Sequence, residues 1–226
     1  MAESAVWQRA LTAACVWLAE PLVAAQRCAW GFTHETWLLG TPSRSVILQL
    51  PHPSTDVGAM ITSASYVPGL FARQGLRVPR LLHAAHDHDP PFLLREYIAG
   101  QPGVQWLGDP ADARRLAQAM GRVLRRLASL PAAEAALPRV WAAPQTLAEQ
   151  ARRWLRECAP FLNSQVVGSL QLAIELLAGQ EETAAVVAHG DFCPVNVIVN
   201  GDDVAGLIDI EAARLAGPLF DAAWWG

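Results

Sequence analysis

One end of a β-hairpin constrains this chain more than any other feature. The stretch "VVAHGDFCPVNVIVNGDDVAGLID", residues 186–209, sets apolar runs on either side of Asn200-Gly201. Asn-Gly between apolar runs is the strongest short-range hairpin signal, because both residues accept the positive φ of a tight turn. Residues 197–199 and 205–209 are then the paired strands. Folded about residues 201–202, the hairpin sets Asn196 opposite residue 207 and leaves Asp209 at its open end. The loop carrying His189 and Asp191 enters at that same end, so spacing gathers Asp191, Asn196 and Asp209 at one locus. Taken singly, each is compatible with an ordinary turn. Together, two carboxylates and an amide oxygen suit a hard cation such as Mg²⁺, which points to phosphate substrates. With a cation held by Asn196 and Asp209, Asp191 is left to accept a proton from a substrate hydroxyl.

Composition narrows the class. The chain has 226 residues, 52% hydrophobic and 17% charged, enough to bury a core and too apolar for a disordered segment. A net charge of −4 argues against nucleic acid as a partner. Cys15, Cys28, Cys158 and Cys193 form no C-x-x-C pair, which leaves reduced thiols and a cytoplasmic location as the plain expectation. The N-terminal apolar run is too short for a membrane span. All 17 basic residues are arginine, so mechanisms that need a lysine Schiff base or a Walker lysine are excluded. The chain contains neither G-x-S-x-G nor G-x-G-x-x-G.

Periodicity predicts a helix over residues 4–26, broken near Pro21, and strands at "TWLL" and "RSVILQL" joined by a hairpin at Gly40 and Pro42. A helix over 56–75 is weakened by Pro68 and Gly69. "VPRLLHAA" and "PFLLREYIAG" read as two more strands. The cluster Gly100-Gln101-Pro102-Gly103 marks a hinge, which gives a strand-rich unit over 1–98 and a helical unit over 99–226. In the latter, Asp109-Pro110 opens a helix, and 145–158 and 165–178 are two others.

The motifs "HGDFCPVN" and "LIDIEAARLAGPLFD", in this order and spacing, resemble the signature of aminoglycoside phosphotransferase and choline kinase-like small-molecule kinases. "GFTHETWLL" looks like the family's glycine loop, and "PFLLREYIAG" like the strand that runs into its hinge. The resemblance implies an α+β, protein-kinase-like fold of two lobes, with a small antiparallel-sheet N-lobe and a helical C-lobe. It implies ATP or GTP with Mg²⁺, and a small-molecule hydroxyl as acceptor. It makes Asp191 the catalytic base, with His189 supporting the loop and Asp221 bracing it. Asn196 and Asp209 become the metal ligands. Gly31, Phe32, Thr33 and Gln49 face the nucleotide, and the backbone of Glu96, Tyr97 and Ile98 receives the base.

Two departures stand out. Where these kinases place a basic residue on the N-lobe strand, "VILQL" offers Gln49, and the following helix shows Ala64 or Ser65 where a glutamate would hold that base. A charge pair at 4 Å and an effective dielectric of 20 is worth ~4 kcal/mol, so its loss bears on rate. A kinase-like binding protein with weakened or no transfer is therefore the alternative reading. Arg44 is a candidate substitute cation. The chain also stops soon after Asp221, which leaves the expected C-lobe truncated. Trp224-Trp225 then offers apolar surface for a further C-terminal segment, for another subunit such as a second copy, or for a lipid-like substrate.

Overall fold

The computed structural model describes residues 2–29, 34–139, 141–181 and 184–225. The expected glycine-loop residues Gly31, Phe32 and Thr33 lie outside the described residues, as do the side chains of Trp224 and Trp225. The chain forms two compact units, Met1–Met120 with Pro194–Glu211, and Gly121–Cys193 with Ala212–Gly226.

The first unit opens with α1 (Ala2–Leu18). Its Ala10, Ala14 and Leu18 recur every fourth residue and are buried. They pack on a five-stranded antiparallel sheet. The strands are β1 (Ala24–Arg27), β2 (Glu35–Gly40), β3 (Ser45–Leu50), β4 (Leu81–Ala85) and β5 (Phe92–Glu96), in the order β1-β2-β3-β5-β4. Leu39, Val46, Leu48, Leu50, Phe92 and Leu94 meet α1. Trp7 of α1 stacks on Trp37 of β2, with ring centroids 3.8 Å apart and 15° between planes.

Strand β1 corrects the helix expected over residues 4–26. Helix α1 ends at Leu18, where Ala19 turns to φ 54°, and the four residues of β1, all exposed, hold their place through backbone pairing with β2. Ala-Ala-Gln-Arg favours a helix locally, and a nonlocal ladder overrides it. Between β3 and β4 lies α2 (Val57–Ala72), capped by Asp56, whose carboxylate accepts from the Ala59 N–H at 3.0 Å. It runs through Pro68 without a break and buries Met60, Ala64, Val67, Leu70 and Phe71. Burial of that face outweighs the local cost of Pro68 and Gly69.

A second, three-stranded sheet joins β6 (Gln101–Pro102), β8 (Val197–Asn200) and β9 (Asp203–Leu207) in the order β6-β8-β9. Gly100 adopts φ 148°, and a Cβ there would lie 2.4 Å from the Val199 carbonyl oxygen, so only glycine fits this approach. Helix α3 (Pro110–Ala128) begins at Asp109, whose side chain accepts from the backbone N–H groups of Ala111 and Asp112. Its Leu116, Met120, Val123 and Leu127 are buried.

The second unit holds α4 (Pro144–Cys158), α5 (Ser164–Ala178) and α6 (Phe220–Trp225), together with a two-stranded antiparallel pair, β7 (Val186–Ala188) with β10 (Arg214–Ala216). Arg152 and Glu175 tie α4 to α5 at 2.9 Å.

Candidate active site

The hairpin at residues 196–209 forms within the first unit. Val197 pairs with Leu207 and Ile198 with Gly206, and then the register slips so that Val199 pairs with Val204. That bulge moves the partner of Asn196 by one residue from the simple fold-back, and the Ile208 N–H donates to the Asn196 carbonyl at 3.0 Å. Asn196, which is buried, and Asp209 thus flank the open end of the hairpin. Asp209 takes φ 59°, a left-handed conformation that a non-glycine residue adopts at a cost. Asp is among the few side chains that tolerate it, and the turn redirects the chain between β9 and the buried Ile210. An amide oxygen beside a carboxylate fits a hard cation. Among the described residues no three His, Cys, Asp or Glu side chains cluster as a metal cage. An ion at Asn196 and Asp209 would therefore draw its other oxygens from water or substrate, as Mg²⁺ commonly does.

The loop after β7 is built within the second unit. Asp221, at the start of α6, is buried, and its two carboxylate oxygens accept from the backbone N–H of His189 at 2.7 Å and of Gly190 at 2.9 Å. Gly190 has φ 88°, and a Cβ there would stand 1.9 Å from the Ala212 carbonyl oxygen. No other residue fits. The His189 ring is fully buried, and its Nδ1 accepts a long hydrogen bond of 3.4 Å from the Asp191 N–H. Burial raises the Asp221 carboxyl above its ordinary value, against the opposing pull of the two N–H groups, of the His189 ring and of Arg214. Burial lowers Arg214 in turn, opposed by Asp221 and Asp191. The Arg214 guanidinium lies 3.8 Å over the Trp141 ring, and its Nε donates to the Ala212 carbonyl at 2.6 Å. Arg214 is a residue that the sequence reading missed.

The expected base-receiving strand end behaves as β-structure up to Glu96, whose N–H donates to the Arg80 carbonyl at 2.9 Å. Partial burial pushes the Glu96 carboxyl up, but hydrogen bonds from Arg77 and Arg80 outweigh it and hold it low. Tyr97 is half-buried and Ile98 buried, the latter against Gly206, where a Cβ would come within 2.4 Å of Ile98 Cδ1.

Gln49 lies on β3, opposite Leu93 of β5, while Ile47 lies opposite Arg95. Strand alternation puts Ile47, Gln49, Leu93 and Arg95 on the sheet face away from α1. Arg95 is buried, only 5% exposed, and its Nη2 donates to Glu211 Oε1. Arg44 is exposed, its guanidinium 5.6 Å from the Trp17 ring centroid, outside that face. Helix α2 carries no acidic residue.

The sequence profile of the phosphotransferase enzyme family matches residues 24–225. The chain belongs to that family. It is 29% identical over 157 residues to an aminoglycoside 3'-phosphotransferase of Streptomyces ribosidificus. That match takes in 65% of this chain and 57% of the relative, so the chain spans little more than half of the curated relative's length. Among solved structures, the phosphotransferase family chain resembles an aminoglycoside 2'-phosphotransferase in complex with GDP, with a TM-score of 0.75 and 17% identity over 95% of this chain and 74% of that one. It also resembles an aminoglycoside phosphotransferase from Streptomyces rimosus bound to ADP and streptomycin, at TM-score 0.63 and 24% identity over 85% and 75% of the two chains. The fold is kinase-like and α+β, as the motifs imply.

Proposed function

We propose that this chain transfers the γ-phosphoryl group of ATP or GTP to a hydroxyl of a small molecule. The observation that carries the reading is the braced Asp191 loop, in which Asp221 takes both preceding N–H groups and Gly190 leaves no room for another side chain. A rigid loop holds a carboxylate where a hydroxyl proton must be taken. Asp191 accepts that proton as the hydroxyl oxygen bonds to the γ-phosphorus. The bond from phosphorus to the bridging oxygen breaks, and the nucleoside diphosphate leaves with the electron pair. Asn196 and Asp209 would hold Mg²⁺, which when bound would supply charge neutralisation to the phosphate oxygens.

The named aminoglycoside relatives favour a polyhydroxylated, cationic acceptor, and the net charge of −4 suits one. Gln49, a neutral residue on β3, favours a second reading in which nucleotide binds but transfer is slow. Turnover of Mg-ATP and Mg-GTP with a panel of aminoglycosides, followed by mass detection of the phosphate adduct, tests both. Asp191→Asn is expected to lower kcat by about a hundred- to ten-thousand-fold with nucleotide affinity retained. Binding without any adduct in the wild type would favour the second reading, and absence of nucleotide binding would overturn both.

A further inference from the structure

The face of the five-stranded sheet away from α1 carries a buried charge where the strand next to it carries none. Arg95 and Glu211 are 116 residues apart in sequence and form an ion pair whose side chains are 6% and 19% exposed. Burial of such a pair costs desolvation, and it is repaid only when the remaining donors and acceptors find partners. Here they do not. Among the described residues, Arg95 Nε, Glu211 Oε2 and Gln49 Oε1 are each buried with no hydrogen-bond partner. Three unpaired polar atoms converge on one side of one sheet, all within the first unit. Unpaired buried polar atoms are rare in folded proteins and call for a missing partner.

Arg95 Nε is a donor, whereas Glu211 Oε2 and, as placed, Gln49 Oε1 are acceptors, so an anion answers the arginine and a turned Gln49 amide while Glu211 Oε2 needs a donor from water or a cation. Arg95 offers a buried N–H on a fixed charge. Gln49 offers a second donor once its amide is turned over, since oxygen and nitrogen of an amide exchange places by rotation. Two donors, one of them cationic, suit phosphate oxygens. Glu211 stands two residues beyond Asp209, so the segment that presents Asp209 is the one tied to β5.

We infer that Arg95 is the cation that meets the nucleotide phosphates, held in place by Glu211 and assisted by Gln49. The pair then does from β5 what β3 and α2 lack the residues to do. This rests on the phosphotransferase reading above, and the test separates the two.

Titration calorimetry of the full chain with ATP, ADP and adenosine, in magnesium, is the measurement. Arg95→Met is expected to weaken ATP and ADP by about tenfold or more while adenosine changes by less than about twofold. Arg95→Lys should recover most of the loss. Arg95→Met leaves the Glu211 carboxylate buried alone, so the double variant Arg95→Met/Glu211→Gln is measured beside it and should show the same phosphate-selective loss. Equal losses for adenosine and ATP, or no loss for either, would make the pair a clamp of the fold and overturn the inference, as would collapse of both Met-containing proteins. A wild type that binds ATP with unaltered variants sinks this inference alone. A wild type that binds no nucleotide sinks the phosphotransferase reading with it.

Discussion

Around Asp221 the buried polar groups are paired off, whereas around Arg95 they are not. The carboxylate of Asp221 receives two backbone N–H groups and stands near Arg214. The cluster of Arg95, Glu211 and Gln49 keeps three atoms without partners among the described residues. The same physics judges both, because an unmet buried donor or acceptor costs about 1–3 kcal/mol. A satisfied cluster is a complete scaffold, and its role is to hold a loop still. An unsatisfied one is incomplete until something binds.

The contrast is most exposed to attack at Gly190. Gly190→Ala forces a left-handed residue and drives a methyl into the Ala212 carbonyl, so a loss of about 3–5 kcal/mol is expected in urea unfolding. A loss below about 1 kcal/mol would show that the braced loop yields, and the comparison would fail.

Asp221→Asn probes the charge of the brace. Burial raises the folded carboxyl above its ordinary 3.8, so the folded state holds the proton more tightly than the unfolded state does. The group's contribution is fully present below the unfolded value and is lost as pH rises through the folded one. The stability difference between wild type and Asp221→Asn should therefore move against the wild type as pH climbs out of the acid range, measured as urea unfolding across that range. A difference that is flat with pH would remove the burial argument.

The smallest effect belongs to Glu96, whose partners Arg77 and Arg80 are 53% and 73% exposed in their side chains. Solvent screening limits such pairs, so Arg80→Ala should cost about 0.2–1 kcal/mol at neutral pH. Glu96 is held low, so this contribution is present above the ordinary carboxylate value and fades as pH falls through the folded one. Thermal unfolding at neutral and acid pH checks that the penalty vanishes on acidification. A penalty as large as that expected at Gly190 would erase the distinction between rim and scaffold.

How much of this was legible in the sequence depended on distance along the chain. The hairpin announced itself through Asn200-Gly201, and its register was off by one only because the bulge after Ile198 has no composition of its own. Asp109 as a helix cap was readable for the same local reason. Strand β1 was not, since its residues favour a helix and only pairing with β2 makes them extended. The link from Arg95 to Glu211 was invisible because no local rule joins residues so far apart. Its one trace was an arginine inside the apolar run "FLLRE", a place where a charge needs a reason. Arg214 left a fainter trace, a lone charge between Ala212-Ala213 and Leu215-Ala216.

The stacked indoles of Trp7 and Trp37 have a practical consequence. Parallel rings at that separation couple their electronic transitions, so α1 docked on β2 carries its own optical signature in circular dichroism. Release of the first helix would erase that couplet while leaving the chain's helical signal largely intact. Detachment of the N-terminus can thus be followed by light alone, with no label attached.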